Sequence, residues 1–301
     1  MTRKSTNKTT LTIYSIKKRL SSILCQLLLM SAVFLGSFTA QTDSGHWAGQ
    51  TQRIDTQRVS SQRPLKANGI PYAPPSLLIH RPPPLKPVQP VVFSHGDRSR
   101  KEIALTFDAC STRKPNRYDE RVTKVLLETK TPATIFLGGK WMLDEPDHTR
   151  LLASSPQFEL GNHTFLHPHL TEVSDERVKE ELRRTQDAMY TLTGRQATLF
   201  RPPYGEYNER VVRLAAEMGL TTVEYDLPSG DPDVHATKQK LIDYVTWKAR
   251  PGSIVVMHIN ARGWHTAEAL PEIIEKLRQR GFTFVTVSQL LRDPKPAEGP
   301  R

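Results

Sequence analysis

Two histidines four residues apart, in "NHTFLHPHL" (162–170), are the first side chains of this 301-residue sequence with an evident chemical use. If the segment turns, His163 and His167 can share one divalent cation, and neutral imidazole is a good zinc ligand. A solvated or hydrogen-bonded histidine pair is the competing reading, and His169, beyond Pro168, reads as a loop residue. In "LFRPPYGEYN" (199–208), Arg201 precedes a turn stiffened by Pro202 and Pro203. Its permanent charge can orient a carboxylate without acting as a base, or close a structural salt bridge. Tyr204 can line a groove, and its backbone N–H can donate to an oxyanion. "YDLPSGDPD" (225–233) offers Asp226, Asp231 and Asp233 on a turn-rich loop, where carboxylates also cap or solvate. "SIVVMHIN" (253–260) ends an apolar run on His258. A buried histidine is costly unless partnered; a nearby carboxylate can hold it charged, ready to protonate a leaving amine. "LTFDACST" (105–112) supplies one carboxylate, Asp108, followed by Ala109 and Cys110.

The elements that must gather these side chains read as alternating strands and helices. "EIALTFD" (102–108), "ATIFLG" (133–138), "FELGNH" (158–163), "TLFRP" (198–202), "TTVEYD" (221–226), "SIVVMH" (253–258) and "FTFVTV" (282–287) have strand character. Helical patterns at 174–194, 207–219 and 266–281 each stop at a glycine. Such alternation predicts a parallel sheet with right-handed crossovers, an α/β fold built as a distorted (β/α) barrel of about seven parallel strands. In barrels of this kind chemistry collects at the C-terminal strand ends. Asp108, His163, Arg201 and His258 all fall there, with Asp226 and Asp231 just after the fifth strand.

The net charge of +11 invites a nucleic-acid reading until it is located. Residues 1–100 carry 14 Lys/Arg against 3 Asp/Glu, and residues 101–301 carry 28 against 28. A neutral C-terminal domain lacks the basic face that nucleic-acid binding requires, so no nucleic-acid partner is expected. Lys17, Lys18 and Arg19 precede an uncharged, largely apolar stretch from Leu20 to Thr42. Residues 1–40 therefore read as a signal peptide or N-terminal membrane anchor, cut after Thr39 or left as a span. Residues 41–99 read as a basic, proline-rich linker, with nine prolines between Pro64 and Pro90 favouring an extended chain. The folded domain is expected over 100–292 and a short tail over 293–301, outside the cytoplasm: periplasmic or extracellular, and membrane-attached if the leader is uncut. Cys25 and Cys110 lie in separate regions and are not expected to pair. Composition leaves the oligomeric state open.

Taken together, "TFDAC", "HTFLH", "RPPYG", "SGDPD" and "IVVMH" occur in order at strand ends. They resemble the five motifs of the NodB-homology polysaccharide deacetylases, carbohydrate esterase family 4, over about residues 100–292. The resemblance implies a divalent-metal hydrolase, with zinc or cobalt or a similar ion, that removes N-acetyl groups from a polysaccharide containing N-acetylglucosamine and releases acetate. It implies Asp108 as general base, His163 and His167 as metal ligands, Arg201 as the residue orienting the base, Asp231 as the carboxylate tuning the acid, and His258 as that acid. Tyr204 falls in the substrate groove. The family's first motif has a second aspartate as metal ligand, and here that place is Ala109. Asp119, water, Cys110 or Asp108 itself are the substitutes available. A glycan-binding module without turnover, and a hydrolase of another amide or O-acetyl ester, stay open as alternatives.

Overall fold

Strand β2 (Glu102–Ala109) is buried along almost its whole length, as a central parallel strand with both faces covered should be. Its odd-numbered residues Ile103, Leu105, Phe107 and Ala109 join the large apolar cluster beneath the helices, and Ala104 packs into a smaller interior cluster. Period-two alternation therefore turns Thr106 and Asp108 toward the interior. The computed structural model describes residues 78–111 and 116–292.

Around β2 the chain alternates as expected. β1 (Val92–Phe93) precedes it, and α1 (Glu120–Glu128), β3 (Ala133–Leu137), α2 (Gly139–Asp144), α3 (Pro146–Ser154) and β4 (Phe158–Asn162) follow. Then come α4 (Asp175–Thr193), β5 (Leu199–Phe200), α5 (Glu209–Glu217), β6 (Thr221–Val223) and β7 (Leu227–Pro228). The chain continues through α6 (Lys238–Lys248), β8 (Ser253–His258), α7 (Thr266–Gln279), β9 (Thr283–Phe284) and α8 (Val287–Leu290). Helix α4 begins at Ser174, whose side chain accepts the Arg177 N–H, and ends at Gly194 in the left-handed conformation at φ 67°.

All ladders between strands are parallel, in the order β1-β6-β5-β4-β3-β2-β8-β7, with β9 also on β2. The fold is the predicted distorted (β/α) barrel, with nine strands among the described residues rather than seven. The additional two, β1 and β7, are two-residue pairings too short to show periodicity. No ladder joins the edge strands β1 and β7, so the barrel stays open, and an antiparallel bridge between His95 and Ser253 spans the gap near the strand starts. Helix α8 plugs that end: the Val287 N–H donates to Thr134 Oγ1 on β3.

The linker expected through residue 99 ends earlier. From Leu78 to Pro90 the chain has no helix or strand, as its prolines dictate, yet it is docked. The His80 N–H donates to Thr191 Oγ1, the Val88 N–H donates to the Ala216 carbonyl, and β1 is a sheet member. Gly219, at φ 77°, permits this: a Cβ there would stand 2.4 Å from Leu85 Cβ. The leader over 1–40, the first part of the expected linker and the tail over 293–301 lie outside the described residues.

Candidate active site

Register puts the chemistry-bearing residues at one level. Asp108 on β2 is paired with His258 on β8, and Asn162 on β4 with Phe200 on β5. His163 and Arg201 therefore leave their strands side by side, and the His163 Nδ1 atom hydrogen-bonds the Arg201 carbonyl at 2.8 Å. All seven residues expected at the site, Asp108, His163, His167, Arg201, Tyr204, Asp231 and His258, come together there. A pocket of about 280 Å³ is lined by six of them, the exception being Arg201, which lies beneath its floor.

Arg201 is 1% exposed and donates from Nη1 to Asp108 Oδ1 at 2.9 Å and to Thr106 Oγ1 at 2.8 Å. Its guanidinium lies over the Phe136 ring at 4.1 Å. Burial would push the Asp108 carboxyl up, but the positive charge of Arg201, with that of His258, holds it below the usual carboxylate range. Asp108 is thus a carboxylate with Oδ1 tied down, while Oδ2 stands 3.7 Å from His163 Nε2.

Across the pocket, Asp231 is fully buried and accepts four hydrogen bonds. The His258 backbone N–H (2.7 Å) and Thr266 hydroxyl (2.7 Å) reach Oδ2, and His258 Nδ1 (2.9 Å) and the Ser229 hydroxyl (3.0 Å) reach Oδ1. Burial pushes the His258 imidazole down, but the hydrogen bond and charge of Asp231 outweigh it and raise its pKa above the ordinary value. With Nδ1 facing Asp231, Nε2 is the ring nitrogen left for the pocket.

The two motif histidines stay neutral. Burial lowers the pKa of His163, and burial together with the neighbouring His163 lowers that of His167 to about 3. Their rings meet edge-on at 4.9 Å. His167 Nδ1 is buried without a hydrogen-bond partner among the described residues, the sort of orphaned atom that a cation satisfies. The donor chemistry fits a zinc-like ion: two neutral imidazoles, with Asp108 Oδ2 facing one of them. The set is an open seat rather than a closed cage, since no three His, Cys, Asp or Glu side chains form a ready group among the described residues.

The missing second aspartate is not replaced by the sequence neighbours considered for it. Ala109 packs in the outer core. Asp119 caps α1, accepting from the Arg121 backbone N–H, and pairs with the Arg121 side chain. Cys110 is 3% exposed, with Sγ 3.7 Å from Arg262 Nη1, and burial pushes its thiol pKa up. Asp226 pairs with Arg98 and accepts the Ile254 N–H, so it is structural. His169 stacks on the Tyr204 ring at 4.1 Å and pairs with Glu206. Tyr204 itself sits at φ 61° on the pocket wall, its hydroxyl donating to the His167 carbonyl at 3.3 Å.

Two buried carboxyls escaped the sequence reading. Thr164 and His167 adopt left-handed backbone, at φ 62° and 58°, which is costly for a β-branched residue and must be imposed by the surroundings. Glu181 imposes it: its Oε2 accepts both the Phe165 and Leu166 N–H groups at 2.7 Å, and Arg177 holds Oε1 at 2.6 Å. Three residues after Val178 and four before Thr185, Glu181 falls on the apolar face of α4, a signal that the sequence reading did not use. Glu181→Gln should weaken zinc binding about 10- to 100-fold, by calorimetric titration, and lower stability by about 2 kcal/mol; wild-type zinc affinity in a folded variant would refute the bracing role.

Glu224, just past β6, is 7% exposed, and its Oε1 has no hydrogen-bond partner among the described residues. Burial pushes its carboxyl up to about 7 from an ordinary 4.5, against the pull of Arg201. A folded-state value above the unfolded one means that ionisation opposes folding. Stability is therefore highest below pH 4.5 on this account, falls as pH rises toward 7, and levels off above, by about 3 kcal/mol in all. Glu224→Gln should remove this slope, so that urea midpoints of variant and wild type diverge in the variant's favour between pH 5 and pH 8; parallel profiles would contradict it.

Comparison with known proteins points the same way as the geometry. The family model for polysaccharide deacetylases matches residues 95–223. The chain is 31% identical to the peptidoglycan-N-acetylmuramic acid deacetylase PdaA of Bacillus subtilis, over 66% of this chain and 74% of that protein. A peptidoglycan-N-acetylglucosamine deacetylase of Bacillus cereus is 27% identical, with 66% and 72% covered. Among solved structures, BA3943 of Bacillus anthracis, a CE4 family pseudoenzyme, aligns with a TM-score of 0.62 at 25% identity, covering 68% of this chain and 70% of that one. A mutant of that pseudoenzyme with restored enzymatic activity aligns equally well.

Proposed function

The chain belongs to the polysaccharide deacetylase family, carbohydrate esterase family 4, and we propose that it is an exported, metal-dependent hydrolase of N-acetyl groups on a glycan containing N-acetylglucosamine. The observation that carries this is the pairing of two buried dyads across one pocket, Asp108–Arg201 and His258–Asp231, one holding a base ionised and the other an acid protonated.

His163 and His167 would hold a divalent ion, which when bound would supply Lewis-acid polarisation of the acetamide carbonyl and of water. The chain's own groups do the proton work. Asp108 Oδ2 accepts a proton from the attacking water while Arg201 fixes Oδ1, so a single oxygen is offered as the base. The backbone N–H of Tyr204 donates to the developing oxyanion. His258 then gives its Nε2 proton to the amine nitrogen as the C–N bond breaks, and Asp231 stabilises the imidazolium until that moment. Acetate and a free amino sugar are the products, and no covalent enzyme intermediate is needed.

The basic, apolar leader and the proline-rich stretch support delivery of the domain to a cell wall or exopolysaccharide outside the cytoplasm. Ala109, and the likeness to a pseudoenzyme, favour a second reading, a module that holds glycan without turnover. One assay separates them. The full chain incubated with peptidoglycan or chitooligosaccharide should release acetate with zinc or cobalt and stop when a chelator is added. Glycan binding without acetate release under any metal would select the second reading.

A further inference from the structure

Tyr204 lines the pocket although it is 48% exposed, and it stands in left-handed backbone at φ 61° beside Gly205 at φ 69°. Glycine takes that conformation freely and a tyrosine does not, so contacts other than burial must hold the residue there. The histidine turn supplies them from the two residues that flank Pro168. The His167 ring meets the Tyr204 ring edge-on at 4.5 Å, and the His169 ring stacks on it at 4.1 Å, with 9° between the planes. His169 is itself fixed, because its Nδ1 atom hydrogen-bonds Glu206 Oε2 at 2.7 Å, two residues past Tyr204. The Tyr204 hydroxyl completes the contact by donating to the His167 carbonyl at 3.3 Å. The turn around the histidines and the turn after Arg201 are thus interlocked through one aromatic ring.

Building on the deacetylase reading above, we propose that His169, held in place by Glu206, is a positioning residue for the reaction: it clasps the Tyr204 turn, although neither His169 nor Glu206 lines the pocket. The atom that the clasp serves is the Tyr204 backbone N–H. The N–H groups of Gly205 and Glu206 are taken by the Pro202 and Pro203 carbonyls, and no carbonyl among the described residues takes that of Tyr204. A donor to the oxyanion acts in the transition state and hardly at all on bound substrate, so a loosened turn costs rate more than affinity. The same stack bears on His167 through both its ring and its carbonyl, and so steadies one imidazole of the metal seat. What the stack uses is a flat ring over Tyr204, not the charge of the imidazole.

The test uses the full chain with zinc and the N-acetylglucosamine hexasaccharide. In His169→Ala, kcat should fall about fivefold, equivalent to about 1 kcal/mol and in the range of one aromatic pair, while KM stays within about twofold. The urea midpoint should not move, since His169 is exposed. His169→Phe restores a flat ring over Tyr204 and should bring kcat back to within about twofold of wild type. A wild-type kcat in His169→Ala, or a His169→Phe chain as slow as His169→Ala, would overturn the clasp. If the wild-type chain releases no acetate from any glycan, the deacetylase reading has failed by itself. Calorimetric titration with zinc alone then decides the clasp: affinity about fivefold weaker in His169→Ala and recovered in His169→Phe supports it, and equal affinity in all three chains refutes it.

Discussion

Asp108→Asn should lower kcat for acetate release by about 10²- to 10⁴-fold, the usual contribution of a positioned general base, while glycan binding changes little. Asparagine keeps the shape and can still accept from Arg201 Nη1, where Asp108 Oδ1 now sits at 2.9 Å. What it loses is basicity at the second oxygen, the one facing His163 at 3.7 Å. The same change leaves a buried guanidinium without its carboxylate, and removing one partner of a buried ion pair costs about 3 kcal/mol or more. Arg201 Nε and Nη2 already have no hydrogen-bond partner among the described residues, so no ready substitute takes up the charge. Steady-state kinetics with a direct binding measurement distinguishes the roles: a matched loss of affinity and rate would make Asp108 a binding residue rather than a base.

Asp231→Asn carries the second large effect, and it acts through His258. The carboxylate now accepts from four donors. An amide nitrogen in place of one oxygen faces a donor it cannot satisfy, and the imidazolium loses its counter-charge. We expect kcat to fall by about 10²- to 10⁴-fold and unfolding stability by about 3 kcal/mol. The pH profile gives the sharper reading. His258 has a folded pKa raised above 6.5, so its protonated form contributes stability below the unfolded value that is lost as pH rises through the folded one. Activity requiring the acid form should decline over the same alkaline limb, and in Asp231→Asn that limb should move to lower pH. An unmoved limb would assign the acid to another group.

These two dyads also bear on the pseudoenzyme likeness. A site that only held glycan would have no physical use for a base kept ionised and an acid kept protonated, each at the expense of burying a charge. Position 109 marks the weak point instead. Its side chain belongs to the outer core with Leu105 and Phe107, so the metal seat proposed above has His163 and His167 as its side-chain ligands, the free oxygen of Asp108 being kept for the base.

Much of the molecule was legible in the sequence because the signals were local. Short apolar runs marked the long strands β2, β3, β4 and β8, and Ser174 and Gly194 bounded α4. Five ordered motifs at strand ends named seven residues that gather around one pocket, since a residue that follows a parallel strand must emerge at one rim of the sheet. What the sequence could not determine depended on long-range contact. Two-residue strands such as β1 and β7 have no periodicity of their own and exist only because a neighbour offers a ladder. The docked proline-rich strap is set by a close approach to Gly219, more than a hundred residues away. Glu224 looks like an ordinary surface glutamate in a linear reading, and the spacing that puts Glu181 on the apolar face of α4 does not name its partners; packing of α4 and β6 against the site turns one into a brace for the histidine loop and the other into a carboxyl poised near neutrality. Local periodicity thus determined which residues stand at the rim, and tertiary packing alone decided which of their charges are held, opposed or left free, because desolvation and pairing exist only once the chain has closed around them.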